Sequence, residues 1–376
     1  MNGIFLRLVS DYILIDLMRI ALVTIIEPRP DSGDGITEYT YRLLTELRKK
    51  KGNKVDVECA LTGVRRSTEV GLFKAQFMQK AIAQKLAAKN YQIVHITHNE
   101  MGSVAKHLKG FSSNTTVVTT IHDVVGTMPI YKGSMKRKLY DQMVDRNIRD
   151  AIKYSDTIIF NSAQTKQETV SRYGSVKHGE VINNGIKDSI LKTRPKPHKH
   201  KTDFVVGYLG SFATHKNVIA VLKTAEYLSA EQHIKFVVYG SGTEQNSVSA
   251  FKIAHNLTNV KLMGFAPENR VTKIFSSFDA FLFPSTHEGF GFPIIEAQAL
   301  SLPVIIMSKS AISEEVSKYC IKALDEQHAA FQIKRLVSGA KLVDTRRAAA
   351  YARSFTWKKN AIRLQGIYKN LLTGKP

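Results

Sequence analysis

The fold is read most directly from Phe283-Pro284-Ser285-Thr286-His287-Glu288-Gly289-Phe290-Gly291-Phe292-Pro293-Ile294-Ile295-Glu296. The run that leads into it, Ala280–Phe283, is short and wholly apolar, as in a strand covered on both faces of a parallel sheet. A glycine-rich loop follows, and Pro293 suits the first turn of the next helix, where its missing N–H costs no hydrogen bond. Amides at the start of such a helix point outward and seat an anion or a sugar oxygen, while Gly289 and Gly291 let a ligand approach the backbone. Glu288 stands before the loop and Glu296 about one turn into the helix. Both carboxylates can therefore flank one ligand, and carboxylates accept bidentate hydrogen bonds from sugar hydroxyls.

The same strand, loop and helix unit recurs along the chain. Apolar runs at Arg19–Ile26, Val55–Leu61, Ile93–Thr97, Val117–Ile121 and Thr157–Phe160 alternate with helical patterns. The first helix places Ile36, Tyr39, Leu43, Leu44 and Leu47 on one face, and further helices are expected at Glu69–Ala88, Lys136–Tyr154 and Gln164–Tyr173. The alternation breaks at Lys187–Lys201, where lysines mix with Pro195 and Pro197, and this segment reads as an interdomain linker. It resumes with strands at Phe204–Leu209, Lys235–Val238, Val260–Met263, Ala280–Phe283 and Val304–Ile306. The pattern predicts an α/β protein of two doubly wound, parallel-sheet, Rossmann-like domains. Residues 18–187 form the first, 188–202 the basic linker and 203–352 the second. Residues 353–376 form a terminal helix offering Trp357, Ile362, Leu364, Ile367 and Tyr368 for packing. Residues 1–17 are an extension whose apolar run is interrupted by Arg7, Asp11 and Asp16, with no small-residue cleavage site after it. That argues against a signal peptide, and two expectations follow, Met18 as the functional start or a segment that touches a membrane surface.

Composition narrows the class. The chain has 376 residues, 43% hydrophobic and 23% charged, which excludes disordered and fibrous proteins. Two cysteines exclude a disulfide framework and fit a reducing compartment. No apolar stretch reaches the roughly 18 residues of a membrane span. The net charge of +22 is uneven: residues 1–200 carry 32 Lys and Arg against 19 Asp and Glu, residues 201–300 carry 8 of each, and residues 301–376 carry 14 against 5. One basic face follows, suited to phosphorylated substrates, an anionic membrane surface or nucleic acid. No zinc-finger spacing or aromatic platform favours nucleic acid.

Other motifs are weaker alone. A lone lysine is ordinarily a solvated surface residue, but Lys216 follows the strand Phe204–Leu209 and precedes a helix, where doubly wound sheets bind ligands. There it is placed to neutralise a leaving diphosphate. His122, in Thr119-Thr120-Ile121-His122-Asp123, ends a buried strand, although single histidines are more often structural. Ser32-Gly33-Asp34-Gly35-Ile36 and Gly240-Ser241-Gly242-Thr243-Glu244 both lack the third glycine of a dinucleotide fingerprint, so neither supports an oxidoreductase. His287-Glu288 does not open a zinc-protease helix, because Gly291 stands where a second histidine is required. A glycosidase would use the two carboxylates as acid and base, a reading that their separation in space tests. No Asp-x-Asp pair or His/Asp cluster would hold a divalent metal, so neither metal nor cofactor is expected.

Together these residues resemble the family-4 retaining glycosyltransferases, whose GT-B fold sets two Rossmann-like domains facing a cleft. The resemblance runs from Met18 to about Leu372. Its most specific element is the pair Glu288 and Glu296, with seven residues between them, inside Glu-Gly-Phe-Gly-Phe-Pro-x-x-Glu-Ala. Gly33-Asp34-Gly35-Ile36, Ile121-His122-Asp123, Ile182-Asn183-Asn184-Gly185-Ile186, Gly240-Ser241-Gly242 and Phe355-Thr356-Trp357 support it in the same order.

The resemblance implies transfer of a hexose of mannose or glucose type, with retained configuration, from a UDP- or GDP-sugar to a glycan, lipid-linked or glycolipid hydroxyl. It assigns the donor to the carboxyl-terminal domain and the acceptor to the amino-terminal one. Glu288 would hold donor-sugar hydroxyls and Glu296 the ribose hydroxyls, while the amides of Gly289, Phe290, Gly291 and Phe292 meet the sugar and diphosphate. Lys216 would stabilise the departing diphosphate, and His122 would contact the transferred sugar near its reacting carbon. Gly35, Gly210, Ser211, Gly240 and Gly264 would complete the donor contacts. The leaving phosphate would receive the acceptor proton, so no protein nucleophile is needed. One departure stands out: Ser211 follows Gly210 where the family often carries Arg, and His215, if protonated, is the replacement cation to expect. The basic excess falls in the expected acceptor domain, which points to a cytoplasmic protein held peripherally at the membrane inner face. The competing reading is a non-catalytic relative binding nucleic acid or membrane through its basic face.

Overall fold

The computed structural model describes residues 18–30, 35–64, 69–124, 135–194 and 203–374, without the side chains of residues 69, 136 and 137. The extension 1–17, Gly33, Asp34 and residues 195–202 of the expected linker lie outside the described residues. Two compact units result, Met1–Gly185 with Trp357–Pro376, and Ile186–Thr356.

The first unit holds six strands, β1 (Arg19–Ile26), β2 (Lys54–Leu61), β3 (Ile93–Ile96), β4 (Thr116–Ile121), β5 (Thr157–Phe160) and β6 (Gly179–Val181). They form one parallel sheet in the order β2-β1-β3-β4-β5-β6. The central strands β3, β4 and β5 are buried almost throughout because helices cover both faces, although His95, Thr119, Thr120 and Thr157 on them are polar. β6 has only three residues, Gly179 and Val181 half-buried and Glu180 exposed, too short and polar a run for periodicity to reveal. Strand order reverses between β1 and β3, the place where such sheets open a crevice at their carboxyl ends.

The helices Gly35–Lys49 and Trp357–Thr373 bury Tyr39, Trp357, Leu364 and Tyr368 in this unit. Ile362, expected to pack, is 59% exposed, because the spacing from Trp357 and Leu364 puts it on the far side of the helix. A polar network runs through the interior: the His95 ring bonds the Tyr368 hydroxyl at 2.6 Å and the Thr120 hydroxyl at 2.7 Å, and Tyr39 reaches Thr120 at 3.1 Å.

The second unit repeats the plan with β7 (Phe204–Leu209), β8 (Ile234–Tyr239), β9 (Val260–Gly264), β10 (Ala280–Phe283), β11 (Val304–Met307) and β12 (Ile321–Ala323). Their order, β12-β11-β10-β7-β8-β9, is the doubly wound dinucleotide-type order, with its reversal between β7 and β10. Gly207 on β7 is a packing requirement, since a Cβ there would lie 2.1 Å from the Phe278 ring.

The units divide at Gly185, not in the basic segment. Residues 188–192, read as linker, form the helix Asp188–Lys192 with Ile190 buried. Arg353 donates to the carbonyls of Ile190, Thr193 and Ala299 at 3.2–3.3 Å and to that of Leu191, tying this helix to the end of the helix Phe292–Ala299. Residues 353–356 therefore belong with the second unit, and the terminal helix begins at Trp357.

Burial pushes the His95 pKa from 6.5 down to about 3, with the neighbouring His122 adding to the effect. Unfolded chains bind this proton from pH 6.5 downward while the folded chain resists, so the contribution is complete above pH 6.5 and is lost as pH falls. Urea melts are expected to show about 3 kcal/mol of stability lost to this residue between pH 6.5 and pH 4, and His95→Gln should flatten that slope.

Candidate functional site

The reversal between β7 and β10 brings two sequence-distant loops together. Lys216 lies in the 3-10 turn Thr214–Lys216 after β7, and Glu288 follows β10. The Lys216 ammonium donates to both oxygens of the Glu288 carboxylate, at 2.6 and 2.8 Å, and stands 5.6 Å from the Phe283 ring centroid. The main chain fixes both partners. Thr286 N–H and the Ser285 hydroxyl donate to the His215 carbonyl at 2.8 and 3.1 Å, and Glu288 N–H donates to the Ala311 carbonyl at 3.0 Å. Glu288 is only 7% exposed, so its charge depends on this lysine.

Three glycine loops line the same carboxyl edge. Gly210 N–H bonds the Tyr239 carbonyl, Phe212 N–H the Ser241 carbonyl and Gly240 N–H the Gly264 carbonyl, at 3.1, 2.9 and 2.8 Å. At Gly240 there is no room for a side chain, since a Cβ would meet the Gly210 carbonyl at 2.0 Å, whereas Gly264 is open and is favoured as glycine by its φ of 72°. Ser211 is exposed, and its carbonyl accepts from the Tyr208 hydroxyl at 2.9 Å. Gly291 has φ 89° and starts the helix Phe292–Ala299, a conformation that favours glycine. Phe290 is 4% exposed and packs on Phe292 and Phe355, so it offers a ligand only its main chain.

Glu296, on that helix, is 2% exposed, and the Lys187 ammonium lies 3.4 Å from it and 3.1 Å from Glu268. Two buried carboxylates, each facing a lysine, beside backbone-lined loops make a site for a polar ligand carrying hydroxyls and negative charge. Among the described residues no group of three His, Cys, Asp or Glu is arranged to hold a metal ion.

Residues 33–189 match Glycosyltransferase Family 4, and residues 189–354 match Glycosyl transferases group 1. The chain belongs to the group 1, family 4 glycosyltransferases. It is 26% identical over 209 residues to the capsular polysaccharide biosynthesis glycosyltransferase CapM of Staphylococcus aureus, covering 53% of each chain. It is 24% identical over 173 residues to O-antigen chain mannosyltransferase B of Escherichia coli, covering 44% of this chain and 45% of that one. The chain thus spans about half the length of these curated relatives. In structure it is similar to a sucrose-phosphate synthase from Thermosynechococcus elongatus, with TM-score 0.78, 18% identity and coverage of 95% of this chain and 100% of that one. Anabaena HepE in complex with UDP and glucose gives TM-score 0.69 at 16% identity, covering 93% and 99%. At such identities the likeness establishes the GT-B fold alone.

In this glycosyltransferase the carboxyl edge of the second sheet gathers Gly210, Ser211, Lys216, Gly240, Gly264, Glu288, Gly289, Phe290, Gly291, Phe292 and Glu296. His122 and Gly35 belong to the first unit. His122 Nε2–H donates to the Thr97 carbonyl at 2.9 Å, and its own carbonyl accepts from Asn161 and the Thr165 hydroxyl. The expected replacement cation is not one: burial, with Lys216 beside it, pushes His215 down to about 4, so its ring is neutral at pH 7. Lys187 was the residue that the linker reading hid. Its only signal in the sequence was its place directly after Asn184-Gly185-Ile186.

Removing one partner of a buried pair strands the other charge. Lys216→Met is expected to destabilise the protein by about 3 kcal/mol in urea melts, with Glu288→Gln in the same chain restoring a large part.

Proposed function

We propose that this glycosyltransferase is a retaining, metal-independent hexosyltransferase that uses a UDP- or GDP-sugar. The observation that carries the reading is the Lys216–Glu288 pair at the β7/β10 reversal. A nucleotide diphosphate brings the negative charge for which Lys216 has the complementary cation, and the exchange frees Glu288 to accept hydrogen bonds from the hydroxyls of the donor sugar. As the glycosidic bond breaks, charge grows on the departing phosphate, and an ammonium held at the strand end stabilises it without further reorganisation. The phosphate oxygen takes the acceptor proton on the same face, which preserves configuration and needs no protein nucleophile.

The relatives act in capsule and O-antigen synthesis by name, which supports a glycan or lipid-linked acceptor. Such acceptors lie at membranes. The helix Glu69–Ala87 of the first unit exposes Val70, Phe77 and Met78, at 65, 68 and 38%, beside the exposed Lys74 and Lys80. Apolar groups interleaved with cations fit peripheral association with the anionic inner face of a membrane.

A thermal-shift panel of UDP-, GDP- and ADP-sugars without added metal tests the donor. One nucleotide should stabilise the wild type by about 2.7 kcal/mol at a hundred times its Kd, chelator should leave this unchanged, and Glu296→Ala should remove most of it. Turnover of that donor, with the product anomer assigned by NMR, decides retention; an inverted product overturns it. Sedimentation with anionic vesicles should be strong at low salt, weak at high salt and reduced by Phe77→Asp. Absence of binding at low salt would sink the membrane reading.

A further inference from the structure

Lys187 has a position that its place in the sequence did not announce. Its main chain is held on both sides: Ile186 N–H donates to the Phe355 carbonyl at 3.0 Å, and the Lys187 carbonyl accepts from Ile190 and Leu191 N–H at 3.0 and 3.1 Å. Its side chain makes no cap for the helix that it precedes. Instead the ammonium, with the side chain 17% exposed, stands between Glu268, in the turn after β9, and Glu296 on the helix after β10.

A carboxylate as buried as Glu296 would take up a proton unless a cation faced it, and a protonated carboxyl is a poorer acceptor for a pair of hydroxyls. Glu268 holds the same ammonium from the other side, so a bound diphosphate has to compete with two carboxylates to draw it away. Lys187 therefore acts on a nucleotide through Glu296.

We propose that Lys187 is a positioning residue for donor recognition, keeping Glu296 ionised and oriented so that the enzyme selects ribonucleotides by their sugar hydroxyls. The inference rests on the reading of Glu296 as the ribose-contacting carboxylate. It distinguishes Lys187 from Lys216, whose pairing with Glu288 places it for the diphosphate.

The test uses the full-length protein and whichever of UDP, GDP and ADP binds it most tightly, together with the 2′-deoxy and 3′-deoxy forms of that nucleotide, by calorimetry. The wild type should prefer the ribonucleotide by about tenfold or more, the worth of hydrogen bonds to a charged group. Glu296→Gln should bring the preference close to one. Lys187→Met should do the same while leaving affinity for the deoxy forms near that of the wild type, and Lys187→Arg should retain the preference. Lys187→Gln, closer to the native side chain in polarity, serves if the Met variant fails to fold. Equal weakening of ribo and deoxy forms by Lys187→Met or Lys187→Gln overturns the proposal, because the lysine would then act on the diphosphate or on the fold. An unchanged preference overturns it as well. A wild type without preference, or a Glu296→Gln variant that keeps it, overturns the ribose reading of Glu296 and this inference with it.

Discussion

The pairing of the half-buried Lys216 with the buried Glu288 is the interaction on which the candidate site depends. It exists because a doubly wound sheet must reverse its strand order somewhere, and in the second unit the reversal sets the loop after β7 beside the loop after β10. A carboxylate buried at such a place is costly unless a cation meets it, and the same cation serves an anionic ligand that displaces the carboxylate. Main-chain bonds from Thr286 to His215 and from Glu288 to Ala311 hold the two loops in place before any ligand arrives.

Charge in the second unit is economical. Glu268, Glu288 and Glu296 face Lys187 and Lys216, and His215 adds nothing because burial keeps it neutral. Of the net charge of +22, the first unit carries +14 and the second +8, an excess that speaks to what the protein approaches.

In the first unit the corresponding reversal lies between β1 and β3, and a row of side-chain bonds to main-chain carbonyls crosses the strand ends: His122 to Thr97, Asn161 to His122, Asn183 to Asn161 and Asn360 to Asn183. Each polar side chain replaces a ladder bond that the ending strands no longer supply, so the edge keeps its shape where a ligand would rest. The His95 network beneath it draws in Tyr368 from the terminal helix, which is why residues 357–376 belong to this unit.

Most strands, the helices between them and the glycine loops were legible in the order of residues, since buried parallel strands are continuous apolar runs and glycine marks backbone that a side chain would block. The sequence also singles out Glu288 and Lys216 from their places after strands and Glu296 from its place one turn into a helix. The short strands Gly179–Val181 and Ile321–Ala323 were not, because three residues carry no period. Only tertiary structure could show that Lys216 grips Glu288 across 72 residues, that Lys187 stands between Glu268 and Glu296, and that His215 is neutral. Pairing and burial are properties of three-dimensional neighbours, and a lysine's role is set by which carboxylate the fold brings to its ammonium.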